Sequence, residues 1–147
     1  PLTAPAAPVS AQPGPDGGGE RLLIVDDEPT QRILAKKLLE RLGYRTGTAA
    51  NGREAIQQLE APSQAGQESP FDLVLLDMVM EDDFDGLATL LAIHELYPRQ
   101  RVIILSGYAD SDRIREAVHL GAGLLTKPYE LSQLARAIRL QLAKPVA

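Results

Sequence analysis

The sequence predicts an α/β fold, a doubly wound sandwich of five parallel strands and five helices. Three observations predict it. Leu22-Leu23-Ile24-Val25, Leu73-Val74-Leu75-Leu76 and Val102-Ile103-Ile104-Leu105 are short, continuous apolar runs. Runs without polar alternation mark strands covered on both faces, as in a parallel sheet. Between them lie stretches with helical spacing, and strands that alternate with helices build a parallel sheet with helices on either side. Finally, 147 residues without cysteine are enough to bury a core that needs no disulfide.

The elements follow in order. Residues 1–20 (PLTAPAAPVSAQPGPDGGGE) are rich in Pro, Ala and Gly. Such a stretch cannot bury enough apolar surface to offset its ordering entropy, so it is read as a disordered linker or tail. Its Gly-Gly-Gly is not a phosphate-binding loop, because no Gly-Lys-Ser/Thr follows. The folded domain spans 21–144. Leu22–Val25 opens it as the first strand. Pro29 suits a first helical turn, Ala35, Leu38, Leu39 and Leu42 form its apolar stripe, and Gly43 ends it. Tyr44 to Thr48 is a weaker strand near an edge. Asn51 and Glu54 form an N-terminal capping pair before Ala55, Ile56 and Leu59. Ala61 to Pro70 is a polar surface insertion, longer than most such connections. The third strand, Leu73–Leu76, precedes a helix marked by Leu87, Leu90 and Leu91. The fourth strand precedes one marked by Ile114, Ala117 and Val118 and stopped by Gly121. Leu124–Thr126 is a short fifth strand, and Leu131, Leu134, Ala135, Ile138 and Leu142 mark the last helix.

Composition narrows the functions. A formal charge of −5 lacks the basic face of a sequence-independent DNA binder. Aromatic residues are too few for stacking on single strands. No apolar run approaches the ~20 residues of a membrane span, and no signal peptide is visible. These point to a cytoplasmic setting without membrane contact.

Ligands of open parallel sheets bind at the carboxyl ends of the strands. The residues that follow the apolar runs are therefore the candidates. Asp26, Asp27 and Glu28 follow the first run, Asp77 the third, Ser106 and Gly107 the fourth, and Lys127 and Pro128 the fifth. Hydrophobic patterning does not require acids, a hydroxyl and an amine at one edge. Three close carboxylates repel each other, and a hard cation such as Mg²⁺ relieves this while keeping room for phosphate oxygens. A carboxylate can also attack phosphorus. The transferred group then needs positive charge around it, which Lys127 supplies, and a donor, which Ser106 supplies.

Val25-Asp26-Asp27-Glu28, Leu76-Asp77-Met78-Val79-Met80, Ser106-Gly107 and Lys127-Pro128-Tyr129, in this order, resemble the receiver domain of bacterial two-component response regulators. The resemblance covers the whole folded part. It implies a flavodoxin-like sheet of strand order 2-1-3-4-5. It implies that Asp77 is the phosphoacceptor, and that Asp27, Asp77 and the backbone carbonyl of Val79 ligate Mg²⁺ directly, with Asp26 acting through water. Ser106 would read the phosphoryl group, Lys127 would pair with it, and the Lys127-Pro128 peptide would be cis. The donor would be a phosphohistidine on a sensor histidine kinase or histidine phosphotransfer domain. Further likeness to receivers of hybrid sensor histidine kinases suggests such a parent chain, the rival being a free-standing regulator.

Three departures matter. Leu124 stands where many receivers have an aromatic residue that rotates inward, so output needs another route. The acidic loop Glu81-Asp82-Asp83-Phe84-Asp85-Gly86 replaces the usual early proline. It is read as a solvated loop in which Asp85 or a neighbour caps the next helix and Gly86 serves the loop geometry; the sharper reading is that it tunes metal affinity or partner choice. Val79 and Tyr108 replace polar residues that help orient hydrolytic water in relatives, which predicts slow loss of the phosphoryl group. His94 and His119 lie on or near helix ends without neighbours at ligand spacing. Met78 and Met80 are read as packing residues. An unphosphorylated pseudo-receiver is the alternative function, but it would be expected to lose Asp77 or Lys127. An aspartate-nucleophile phosphatase would carry an acid where Val79 stands.

Overall fold

A computed structural model describes residues 19–60, 69–78, 85–107 and 111–144. The first 18 residues, most of the 61–70 insertion, Val79, Met80, the acids at 81–83 and Tyr108 lie outside them, so expectations about those positions stand as expectations.

The chain alternates strand and helix throughout: β1 (Arg21–Val25), α1 (Pro29–Arg41), β2 (Arg45–Ala49), α2 (Gly52–Glu60), β3 (Leu73–Asp77), α3 (Gly86–Leu96), β4 (Arg101–Ser106), α4 (Asp112–His119), β5 (Gly123–Thr126) and α5 (Leu131–Ala143). The five strands form one sheet of order β2-β1-β3-β4-β5. Every pairing is parallel. The expected fold class and strand order are therefore the observed ones, and the weaker β2 and β5 occupy the edges.

Side chains on a strand alternate between faces. Leu23, Val25, Val74, Leu76, Val102 and Ile104 are buried in one layer with Leu59 of α2, Leu90 of α3 and Ile114 of α4. Leu22, Ile24, Leu73, Leu75, Ile103 and Leu105 are buried in the other with Leu39 of α1 and Leu134 and Ile138 of α5. Filling both layers is what requires the central strands to be apolar without interruption.

The helix ends obey local rules. Glu28 caps α1 by accepting the Thr30 N–H at 3.0 Å, with Pro29 in the first turn. Asn51 Oδ1 accepts the Glu54 N–H at 2.8 Å, and Glu54 Oε1 accepts the Ala50 N–H at 2.9 Å. Gly43 and Gly121 take φ of 98° and 101°, the left-handed turn that glycine enters without strain. Two predicted stripes hold except for one member each: Leu87 and Leu90 of α3 and Ile114 and Ala117 of α4 are buried as expected. Leu91 and Val118 are 46% and 44% exposed, and in α3 Ile93 is buried in place of Leu91.

Candidate functional site

The carboxyl edge of the sheet gathers the predicted residues. Asp77 is the last residue of β3, Ser106 the last of β4, and Asp26 and Lys127 directly follow β1 and β5. Each position is pinned by sheet-like bonds: Asp26 N–H donates to Ala49 O at 3.1 Å, Met78 N–H to Leu105 O at 2.9 Å, and Lys127 N–H to Ser106 O at 2.7 Å. The backbone thus presents the reactive side chains from rigid strand ends.

Asp26, Asp27 and Asp77 each place one carboxylate oxygen so that all three lie within 4.8 Å of one another. Asp26 and Asp77 are only 5% and 7% exposed, so water screens them weakly. Lys127 Nζ stands 3.5 Å from Asp77 Oδ1 and also donates to Gln31 Oε1 at 3.2 Å. At 3.5 Å this is an ion pair longer than a charge-assisted hydrogen bond of ~2.7–2.9 Å. Ser106 is buried at the same edge. The Lys127-Pro128 peptide is cis, as the resemblance implied.

One ammonium does not neutralise three carboxylates. An all-oxygen donor set of this charge fits a hard divalent cation, Mg²⁺ among them. The residues present therefore suit the metal expected from the sequence. Val79, whose carbonyl was expected to join them, lies outside the described residues.

Several contacts around the site escaped the sequence reading, though the Asp85 cap of α3 was expected. Glu28 was grouped with the site acids but serves as the α1 cap. Its N–H donates to Asp26 Oδ1 at 2.9 Å, which orients that carboxylate, and Arg32 Nη1 donates to the Asp26 carbonyl at 2.7 Å. Gln31 holds Lys127 across a separation of 96 residues that no local pattern announces. Tyr129 packs on the α1/α5 layer. Burial pushes its phenol pKa up, and the charges of Asp26 and Asp77 push the same way, so the hydroxyl stays protonated beside the site. Asp85 caps α3 by accepting the Ala88 N–H at 3.0 Å and takes two hydrogen bonds from Arg113 at the start of α4, at 2.7 and 2.8 Å. His94 lies in the last turn of α3 and His119 ends α4, apart from the acidic cluster. Leu124 is half-buried against the α2–α4 layer.

Comparison with known proteins gives the same picture. The family profile of the response regulator receiver domain matches residues 22–139. Sporulation initiation phosphotransferase F of Bacillus subtilis is 36% identical over 121 residues, covering 82% of this chain and 91% of that protein. Sensor kinase CckA of Brucella abortus is 33% identical over 128 residues, which is 86% of this chain but only 13% of the kinase. The crystal structure of a receiver domain protein from Clostridium thermocellum superposes with a TM-score of 0.73 at 31% identity, covering 84% of this chain and 94% of that one. On fold, profile and relatives together, the chain belongs to the response regulator receiver domain family, the phosphoacceptor module of two-component signalling.

Proposed function

We propose that Asp77 takes a phosphoryl group from a phosphohistidine, with Lys127 and Ser106 completing the site and Mg²⁺ held by Asp26, Asp27, Asp77 and the Val79 carbonyl. The observation that carries this reading is the convergence of three carboxylates within 4.8 Å beside a lysine 3.5 Å from Asp77.

The chemistry follows from the side chains. An oxygen of Asp77 attacks phosphorus, a P–O bond forms, and the P–N bond breaks with its electron pair returning to the imidazole. Asp77 sits at a rigid strand end, so little motion separates its resting position from an attacking one. Lys127 offers positive charge to the transferred oxygens. Ser106, buried on the adjacent strand, offers a hydroxyl donor to the product. The bound metal would neutralise carboxylate repulsion and offset charge on the phosphoryl oxygens. Gln31 keeps the lysine ammonium near Asp77.

The donor is a sensor histidine kinase or a histidine phosphotransfer domain in the cytoplasm. The likeness to CckA supports a hybrid kinase as the parent chain. Output proceeds without an aromatic rotation at Leu124, and partners would dock on α4, β5 and α5. Valine at 79 and tyrosine at 108 favour a long-lived phosphoryl group.

Intact-mass measurement after incubation with an acyl phosphate and Mg²⁺ tests the assignment. Wild type should gain one phosphoryl mass and Asp77→Asn none. Equal uptake by both would remove Asp77 from this role.

A further inference from the structure

A lysine ammonium is a point charge on a flexible four-carbon stem, and it carries three donors. Where it stands is decided by what holds it. Two groups hold Lys127. Asp77 Oδ1 lies 3.5 Å from Nζ, and Gln31 Oε1 accepts a hydrogen bond from Nζ at 3.2 Å. Three carboxylates gathered within 4.8 Å draw the ammonium towards them, and a charge-assisted hydrogen bond closes to ~2.7–2.9 Å. Closing from 3.5 Å to that range strengthens a Coulomb attraction by roughly a quarter. The ammonium nevertheless stands off. Among the described residues, Gln31 is the acceptor that draws it the other way.

Both ends of this contact start from fixed backbone. The Lys127 N–H is bound to Ser106 O at 2.7 Å. Gln31 lies in the first turn of α1, between two residues tied to Asp26. The Glu28 N–H donates to Asp26 Oδ1 at 2.9 Å, and Arg32 Nη1 donates to the Asp26 carbonyl at 2.7 Å. The start of α1 therefore keeps register with the acids, and Gln31 is delivered to one place beside them. The residue type matters as well. An amide oxygen accepts from the ammonium without neutralising it. A carboxylate at this position would cancel the charge, and an apolar side chain would release it.

The bland explanation is a chance surface contact, since Gln31 is exposed. Exposed pairs of long side chains are weak when both ends wander. Here both backbones are pinned and the pull of three carboxylates is resisted. We infer that Gln31 is a positioning residue of the phosphoryl-transfer site: it holds the Lys127 ammonium close to Asp77 but out of direct contact with it. This rests on the roles given above to Asp77 and Lys127. The standoff keeps the ammonium from competing with a metal for the Asp77 carboxylate. It also preserves the whole lysine charge for the transferred group. When a phosphoryl group arrives, the ammonium exchanges one neutral acceptor, Gln31 Oε1, for a charged one.

A cycle of Gln31→Leu, Lys127→Gln and the double variant tests this. Leucine is close to glutamine in size and helix preference, so the fold is kept at this exposed position. Mg²⁺ titration followed by NMR at the Met78 amide gives each Kd. Without its tether the ammonium settles on Asp77 and competes with the metal, so Gln31→Leu should raise the Kd about threefold. Lys127→Gln removes the competitor, and adding Gln31→Leu to it should change the Kd no further. In metal-free buffer the Lys127 ammonium protons should exchange with water more slowly in Gln31→Leu than in wild type. Phosphate uptake from an acyl phosphate should slow about threefold at limiting Mg²⁺ and recover at saturating Mg²⁺. An unchanged Kd in Gln31→Leu, the same rise in Kd in the Lys127→Gln background, faster ammonium exchange, or slow uptake that persists at saturating Mg²⁺ would each overturn the inference alone. Uptake by Lys127→Gln at the wild-type rate would overturn the role of Lys127 itself, and this inference with it.

Discussion

Asp77 works only through its surroundings, and the tightest of these is a glycine. A Cβ built on Gly86 would lie 2.8 Å from Met78 Cα and 2.9 Å from the Asp77 carbonyl oxygen. Both are backbone atoms that cannot swing away. The Gly86 N–H also donates to Met78 O at 3.1 Å, which closes the loop after β3 onto the start of α3. Gly86→Ala should therefore cost about 1–3 kcal/mol from overpacking. The helix propensity gained is at most ~1 kcal/mol and does not offset it. Urea denaturation should show the loss, and phosphate uptake should fall because the Asp77–Met78 backbone must move. Unchanged stability would mean that the loop yields freely. The sequence marked Gly86 as a loop residue but not the reason, since a close approach between residues eight apart leaves no periodic trace. The acids, Ser106 and Lys127 were legible because each follows an apolar run. Gln31 and Tyr129 were not, because their roles depend on how α1 and β5 lie together in space.

At the scale of elements, the starts of α3 and α4 are tied together by Asp85. It caps α3 and pairs in a two-pronged fashion with Arg113 of α4. Burial pushes its carboxyl pKa up, but the Arg113 hydrogen bonds and the Ala88 N–H outweigh burial and hold it below the ordinary carboxylate value. A depressed carboxylate contributes stability above its unfolded pKa and loses it as pH falls through the folded one. Asparagine caps helices as well as aspartate does, so Asp85→Asn removes the charge and keeps the cap. Wild type should thus exceed Asp85→Asn in stability near neutral pH, and the gap should close as the pH falls below 3.8, the ordinary aspartate value. Arg113 is more than half exposed, so the gap should stay below about 1 kcal/mol. Denaturation midpoints of both proteins across pH measure this, and a gap that persists in strong acid would assign the effect to something other than the pair. Most element boundaries were readable from such caps, as at Pro29, Asn51 and Gly121. The stripes of α3 and α4 were read correctly at Leu87, Leu90, Ile114 and Ala117 and misread only at Leu91 and Val118. Apolar residues crowd α3, so composition alone does not say which flank faces the sheet, whereas Val118 lies beside Ala117 at the margin of the narrow apolar stripe of α4.

The whole molecule reconciles a conventional apolar core with three acids gathered at one sheet edge. The core was legible because strands covered on both faces must be apolar between their ends, as Leu22–Val25, Leu73–Leu76 and Val102–Leu105 are. The edge strands were less so, because Arg45 to Ala49 mixes exposed and half-buried positions. Gathering Asp26, Asp27 and Asp77 within 4.8 Å opposes folding in the absence of a counterion. A cation that binds only the folded state reverses this by mass action, adding about 2.7 kcal/mol at a hundredfold excess over its Kd. For a domain of this size that corresponds to a rise in Tm on the order of 10 °C. Mg²⁺ should therefore raise the melting temperature of wild type, and EDTA should return it. Asp27→Asn removes one ligand and one repelling charge together. It should lose most of the Mg²⁺-dependent rise while melting at or above wild type in metal-free buffer. A variant that still gains the full shift with Mg²⁺ would place the metal elsewhere. One that melts well below wild type without metal would give Asp27 a structural role in place of the charge repulsion assigned to it.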